Sequence, residues 1–313
     1  MGNKDALTKR FLSHPDIFAD AFNYLMFDGR QVIKANDLSE QDPTETTVIH
    51  KMGRIFERQR IRDLLRLCTI RRSKYATLIL LGIEAQTNIS YIMPVRDYLY
   101  DALNYAAQID AIRKEHERAG DLNDSAEILS GFTKQDRIIP VITLCICFDK
   151  AEWNGAKKLS DMFITTDPAV KPYINDYHLN LLTPDDIPDF NKFSSELGIA
   201  MEFIHLSNDK DRLCDIIESN DRYKRVDTNT VDIINAYTNA NISKRLVEGG
   251  KINMCTAIQG LIEDGRLAGR EEGADMLAKL LRLLQPDSKE YDKALNGTSA
   301  ERKKLYKKYK IID

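Results

Sequence analysis

Residues 61–86 read IRDLLRLCTIRRSKYATLILLGIEAQ, and the fold follows from how this stretch turns back on itself. Ile61–Ile70 carries apolar residues at 61, 64, 65, 67, 68 and 70, and Tyr75–Ile83 is almost wholly apolar. Arg71-Arg72-Ser73-Lys74 between them is a polar turn. Two extended runs around a short turn predict an antiparallel hairpin. The unbroken apolar second strand predicts burial on both faces, in the middle of a sheet with helices packed on it. Centring the turn between Ser73 and Lys74 sets Asp63 opposite Glu84 and Ile61 opposite Gln86. Opposed Cβ atoms lie roughly 5 Å apart on one face. Glu84 interrupts the end of an apolar strand, where a carboxylate is costly unless paired or metal-bound. Two opposed carboxylates repel unless a cation lies between them. The alternative is a pair of ordinary strand-end charges facing water. Register decides between them, because a slip of one residue sends every side chain to the other face.

Working outward, Asp16–Phe27 has helical apolar spacing, with Ser13 as an N-cap, Pro15 in the first turn and Asp28-Gly29 at the stop. A short strand is expected at Gln31–Ile33, and residues 35–50 read as a polar, turn-rich loop. Pro94–Glu117 is the strongest helix, with an apolar stripe through Val95, Leu99, Ala102, Leu103, Ala106, Ile109 and Ile112 and a stop at Gly120. Ile138–Phe148 is a buried strand whose ladder begins after Pro140. This order of elements predicts an α/β domain with a mixed sheet flanked by helices. Further on, Asp176–Leu182 reads as a strand, and Asp189–Leu206 and Lys210–Glu218 as helices. Asn253–Leu284 has helical spacing interrupted by Gly260, Gly265, Gly269 and Gly273. The expected division is a domain over 8–225 and a helical C-terminal extension over 226–313 that ends in a basic tail.

The chain has 313 residues, 43% hydrophobic and 30% charged, with a net charge of −3; this supports a folded core and excludes global disorder. The apolar runs Ala76–Ile83 and Ile138–Phe148 are about half a membrane span, so no transmembrane helix and no membrane partner are expected. The N-terminal MGNKDALTKR lacks a signal-peptide apolar stretch, which predicts a cytoplasmic protein. Cys68, Cys145, Cys147, Cys214 and Cys255 are odd in number and lack zinc spacing. The five histidines form no HxxxH or HxH pattern, so a histidine-ligated metal is not expected.

Lys51–Lys74 holds nine basic residues and two acidic ones. Arg60, Arg62, Arg66, Arg72 and Lys74 surround Asp63, a strip suited to DNA phosphates, with a solvated charged strand as the alternative. The tail carries Arg302, Lys303, Lys304, Lys307, Lys308 and Lys310. It reads as a solvated helix end before it reads as a DNA arm.

The segments FLSHPDIFADAFNYLMFDGRQVIK, RDLLR, LILLGIEAQTNISYIMPVRDYLYDALNYA and LSGFTKQDRIIPVITLCICF resemble the Rpn family of bacterial PD-(D/E)XK nucleases, also known as recombination-promoting nucleases or transposase-like proteins. AEWNGAKKL, DYHLNLLTP and MCTAIQGLIEDGRLAGREEG extend the resemblance to about residue 275. It implies a restriction-endonuclease-like core and a metal held at the hairpin. Asp63 matches the motif aspartate, and Glu84 the acidic residue of the (D/E)XK part. Both would be catalytic residues and ligands of magnesium, with manganese as a substitute. Gln86 stands where the superfamily pattern has lysine. It can orient a water by hydrogen bonding but carries no charge, so which group steadies the attacking water is open. Asp20 is a candidate further acid, or a surface residue of an amphipathic helix. Arg96 and Tyr100, four apart on one helix face, could reach the site or a phosphate; packing is the alternative for Tyr100.

The expected activity is a magnesium-dependent endodeoxyribonuclease acting on double-stranded DNA, in recombination, transposition or defence against foreign DNA. Magnesium takes hard oxygen ligands and keeps several waters, so two carboxylates suffice. The alternative is a DNA-binding protein on a nuclease fold that no longer cuts. A third reading is a scaffold whose C-terminal helices assemble subunits. A homodimer is compatible with any of these.

Overall fold

Two helices open the chain, α1 (Asn3–Leu12) and α2 (Pro15–Phe27). Proline in the first turn of α2 needs no N–H partner and arrives with a helical φ. Asp28 ends the helix in the left-handed region at φ 55°. Three strands follow, β1 (Leu38–Glu40), β2 (Thr44–Lys51) and β3 (Arg54–Ile61), then the hairpin β4 (Leu64–Arg72) and β5 (Tyr75–Gln86). Next come α3 (Met93–Ala119), α4 (Ser125–Ser130), β6 (Val141–Cys147), β7 (Asn180–Leu182), α5 (Leu197–Leu206) and α6 (Lys210–Ser219). The chain continues through β8 (Val226–Asp227), α7 (Thr228–Thr238), β9 (Lys251–Ile252), α8 (Met254–Leu283), α9 (Lys289–Asn296) and α10 (Ser299–Lys308). This computed structural model describes residues 3–41, 44–51, 54–61, 63–72, 75–164, 167–244 and 247–312, with side chains outside 44–61 and 71–76.

β4 and β5 pair antiparallel, with Leu64 opposite Ile83 and Arg72 opposite Tyr75, the register expected from a turn centred between Ser73 and Lys74. They lie in a five-stranded mixed sheet of order β1-β4-β5-β6-β7, in which β5, β6 and β7 are mutually parallel. β5 is therefore central, as its apolar run requires. Its alternate residues serve two layers. Leu81 and Ile83 pack with Phe18, Phe22, Leu197 and Ile204 of α2 and α5. Leu80 packs with Leu65, Val141 and Tyr105, the last from α3. The protein is thus a mixed α/β fold with helices on both faces of the sheet and a helical C-terminal region. None of the helices among the described residues is long and apolar enough to cross a membrane.

Several expected elements differ. Residues 35–50 are not a loop: β1 adds to the edge of the sheet beside β4, and β2 pairs with β3 in a separate two-stranded ribbon. Thr44, Thr46, Thr47, Val48 and Ile49 are β-branched and favour extended backbone, which outweighs the turn-rich composition. Ile61 consequently faces Thr44 in the ribbon rather than Gln86. No strand forms at Gln31–Ile33. The Asn23 side chain accepts from the N–H groups of Val32 and Ile33 at 3.1 and 2.8 Å and donates to the Ile33 carbonyl at 2.8 Å. One buried amide thus supplies what a strand partner would. The strand expected over Asp176–Leu182 is the three-residue β7, and the helix expected from Asp189 begins only at Leu197. α8 runs uninterrupted through Gly260, Gly265, Gly269 and Gly273, none of which has an atom within 4 Å of an added Cβ.

The division at 225/226 passes through a packed layer: Ile233 and Tyr237 of α7 share a cluster with Phe11 and Phe148. The far C-terminus has its own small core of Leu280, Leu284, Ala294 and Leu305. Within it Arg302 donates to the carbonyls of Ala294 and Leu295, and Lys308 pairs with Glu290. The basic tail is a packed helix with a solvated face.

Candidate active site

The site lies where β4 begins and β5 ends. Asp63 precedes the first residue of β4, and the two strand ends are held together by the acids themselves. The Ala85 N–H donates to Asp63 Oδ2 at 2.8 Å, and the Asp63 N–H donates to Glu84 Oε1 at 3.3 Å. Each carboxylate also carries a cation from a different helical layer. Lys9 of α1 places Nζ 2.7 Å from Asp63 Oδ1, and Arg96 of α3 places Nη2 3.0 Å from Glu84 Oε2. Pro94 fits the first turn of α3, which sets Arg96 just beyond the end of β5. Arg96 Nε also donates to the Tyr100 hydroxyl, 3.2 Å away and one turn further along.

Burial separates the two acids. Glu84 has no exposed surface, whereas the Asp63 side chain is 12% exposed. A cavity of about 220 Å³ is lined by Asp5, Lys9, Asp63, Ala85, Gln86, Thr87 and Arg96, and Glu84 lies beneath the Arg96 guanidinium. Burial works against the charge on Arg96. Glu84, with Tyr100 and Asp63, more than offsets it and holds the guanidinium above the usual arginine range. Cys145, which faces Glu84 across the β5–β6 pair, has its thiol pushed well up by burial first and by Asp97, Cys147 and Glu84 next. Cys68 and Cys147 are likewise buried and free.

Of the residues named from sequence, Asp63, Glu84, Gln86 and Arg96 come together here. Gln86 is nearly buried and lines the cavity. Arg96 lines the cavity, pairs with Glu84 and donates to Tyr100. Tyr100 is buried as its partner. Asp20 belongs elsewhere. Its carboxylate accepts from the N–H and hydroxyl groups of Ser194 and Ser195 and from Gln31 Nε2, at 2.7 to 3.2 Å. A buried acid with its lone pairs so engaged is a tether between α2 and the loop before α5, and this corrects its reading as a catalytic acid. Arg66 is also corrected. It is 3% exposed, lies over the Phe18 ring, and donates to the Ser13 carbonyl at 2.5 Å and to Glu40 at 3.0 Å. Its position opposite Leu81 turns it towards α2, inside the protein, where no DNA phosphate reaches. Arg62 and Lys74 lie outside the described residues, as do the side chains of Arg60 and Arg72.

Lys9 and Asp5 were not anticipated. Leu7, Phe11 and Leu12 have the spacing of a helix and could have signalled α1, but nothing local to them indicates that Lys9 meets Asp63. A larger cavity, about 480 Å³, is lined by His14, Lys34, Ser194, Glu196, Asp227 and Lys251 among others and shares no residue with this one. Its Lys251 already pairs with Glu196 at 2.7 Å.

Asp63 lines the cleft and Glu84 is buried behind it, and such hard carboxylate oxygens are the ligand type magnesium takes, its shell completed with water. Among the described residues no group of three or more His, Cys, Asp or Glu is placed to hold a metal ion. Lys9 and Arg96 each neutralise one of the two acids. No family model matches the chain, and no curated protein or solved structure is significantly similar to it.

Proposed function

We propose that the protein is a metal-dependent endonuclease on a restriction-endonuclease-like fold, hydrolysing phosphodiester bonds of double-stranded DNA. The observation that carries this reading is the Asp63–Glu84 pair, locked across one hairpin end beside an open cavity. Asp63 and Glu84 would hold magnesium, or manganese in its stead. The bound ion supplies a water that is nucleophilic near neutral pH and a positive charge for the phosphate. The chain's own residues have separate tasks. Asp63 stands at the cavity surface, where a substrate phosphate can approach. Arg96 fixes the Glu84 carboxylate from the α3 side, and the buried setting keeps water from loosening it. The Gln86 amide can donate to or accept from a water in the cavity. The mixed sheet with β5 at its centre supports the fold assignment. Double-stranded DNA as partner, a role in recombination, transposition or defence, a cytoplasmic setting and a homodimeric state complete the proposal.

A second reading has its own support: a DNA-binding protein that does not cut. Each of the two carboxylates is already neutralised by a protein cation, and the amide of Gln86 brings no charge to the cavity. Incubating the purified protein with supercoiled plasmid and magnesium separates the two. Nicked or linear product, lost in Asp63→Ala and on chelation, supports the nuclease. Salt-sensitive plasmid binding with no product supports the second reading.

A further inference from the structure

We propose that Lys9 is the catalytic cation of this site, its ammonium stabilising the charge that develops on the phosphate. This rests on the nuclease reading above and names a residue within it. Lys9 lines the same cavity as Asp63 and Gln86, its side chain is 24% exposed, and Nζ is 2.7 Å from Asp63 Oδ1. An ammonium has three N–H donors and the bond to Asp63 uses one of them. The long flexible stem lets the remaining donors follow a phosphate that enters the cavity.

The other cation at the site is less suited. Arg96 is held by both Glu84 and Tyr100, and its guanidinium covers a carboxylate that has no exposed surface. Moving it to meet substrate would break its ion pair with the buried Glu84. The partner of Lys9 is a carboxylate at the cavity surface, so Lys9 can contact both Asp63 and an incoming anion.

In the hydrolysis, the water oxygen bonds to phosphorus and the bond from phosphorus to one ester oxygen breaks. The water proton passes to solvent, and the departing oxygen takes a proton from solvent. Lys9 transfers neither. It offsets the negative charge that grows on the non-bridging oxygens between reactant and product, where a fixed charge is most effective.

The test uses full-length wild-type protein, Lys9→Met and the double variant Lys9→Met/Gln86→Lys, with supercoiled plasmid and magnesium. Lys9→Met keeps the apolar stem and removes the charge. Its single-turnover rate at saturating magnesium should fall by about 100-fold, with plasmid affinity near wild type. The double variant returns an ammonium to the same cavity from β5 and should recover at least ten-fold of that loss. A purely structural Lys9 would not be rescued from position 86. Lys9→Gln carries the same comparison should Lys9→Met fail to fold. Lys9→Met that cuts at the wild-type rate overturns the proposal and leaves the nuclease reading intact. A slow Lys9→Met without rescue also overturns it, assigning the loss to a displaced Asp63. Wild-type protein that cuts nothing overturns both.

Discussion

The Asp63 N–H donates to Oε1 of Glu84, so the end of the central hairpin is closed by an acid side chain instead of another rung of main-chain pairing. Removing that side chain therefore has two effects. Glu84→Ala should abolish cleavage and also destabilise the fold by about 1–3 kcal/mol, because Arg96 loses its buried counter-charge. Solvent screening of the Arg96 side chain, which is 30% exposed, holds this cost down. Glu84→Gln keeps an acceptor for Asp63 and should melt closer to wild type while remaining inactive. Thermal melts beside plasmid cleavage check this; an active Glu84→Gln would remove Glu84 from the site.

Asp20→Ala should behave in the opposite way. It leaves the N–H groups of Ser194 and Ser195 without their acceptor, at a cost of about 2–4 kcal/mol. Cleavage per folded molecule should stay at the wild-type level, because none of the partners of Asp20 lines the Asp63 cavity. A large loss of rate with unchanged stability would restore Asp20 as a chemical participant.

Arg66→Ala is expected to cost stability and to leave DNA affinity and its salt dependence untouched. The guanidinium is buried over Phe18, and burial, opposed by Glu40, lowers its proton affinity below that of a free arginine. Filter binding across a salt series reads this directly. A shallower salt slope would mean that Arg66 meets a phosphate after all.

His116, in the last turn of α3, lies between two carboxylates, 2.7 Å from Asp121 and 2.9 Å from Asp136. Hydrogen bonds to Asp121 and Asp136 raise its pKa above the ordinary 6.5. The folded value is the higher one, so the contribution of this clasp is complete below 6.5 and is lost as pH rises through the folded value. Imidazole titration by NMR should place the midpoint above 6.5, and His116→Gln should flatten the difference in stability between mildly acidic and alkaline buffer. A midpoint at or below 6.5 contradicts this.

Gly265→Ala and Gly269→Ala should each stabilise α8 by up to about 1 kcal/mol, since alanine in a helix interior avoids the entropy that glycine loses. Nothing stands within 4 Å of the new methyl groups. Increased helicity by circular dichroism is the readout, and a loss would reveal a close neighbour at these positions.

The hairpin was legible because its information is local: a four-residue polar turn, an apolar run too long for an edge strand, and a register that follows from the centre of the turn. The pairing of Leu64 with Ile83 needed nothing more. Asp63 and Glu84 followed from that register. What was illegible is what depends on distant partners. Asp20 and Arg66 have the local appearance of a helix acid and a strip arginine, and only the loop at 194–195 and the Phe18 ring show them to be internal. Lys9 meets an acid 54 positions further on, across two structural layers. The ribbon of β2 and β3 was hidden by the turn-forming residues just ahead of its threonines, Asn36-Asp37 and Asp42-Pro43. In α8, glycine propensity argued for breaks that the backbone does not make.

The tether from Asp20 to Ser194 and Ser195 has a counterpart in the hydrogen bond between Thr8 and Tyr237, which span 229 positions of sequence. The first two helices are thus completed by residues that leave the ribosome long after them. A nascent chain that has exposed only the sheet-forming half holds an acid on α2 with no serines to meet it. Truncation near residue 150 should accordingly yield an aggregating fragment instead of a folded domain, and maturation of the fold is a late event in synthesis.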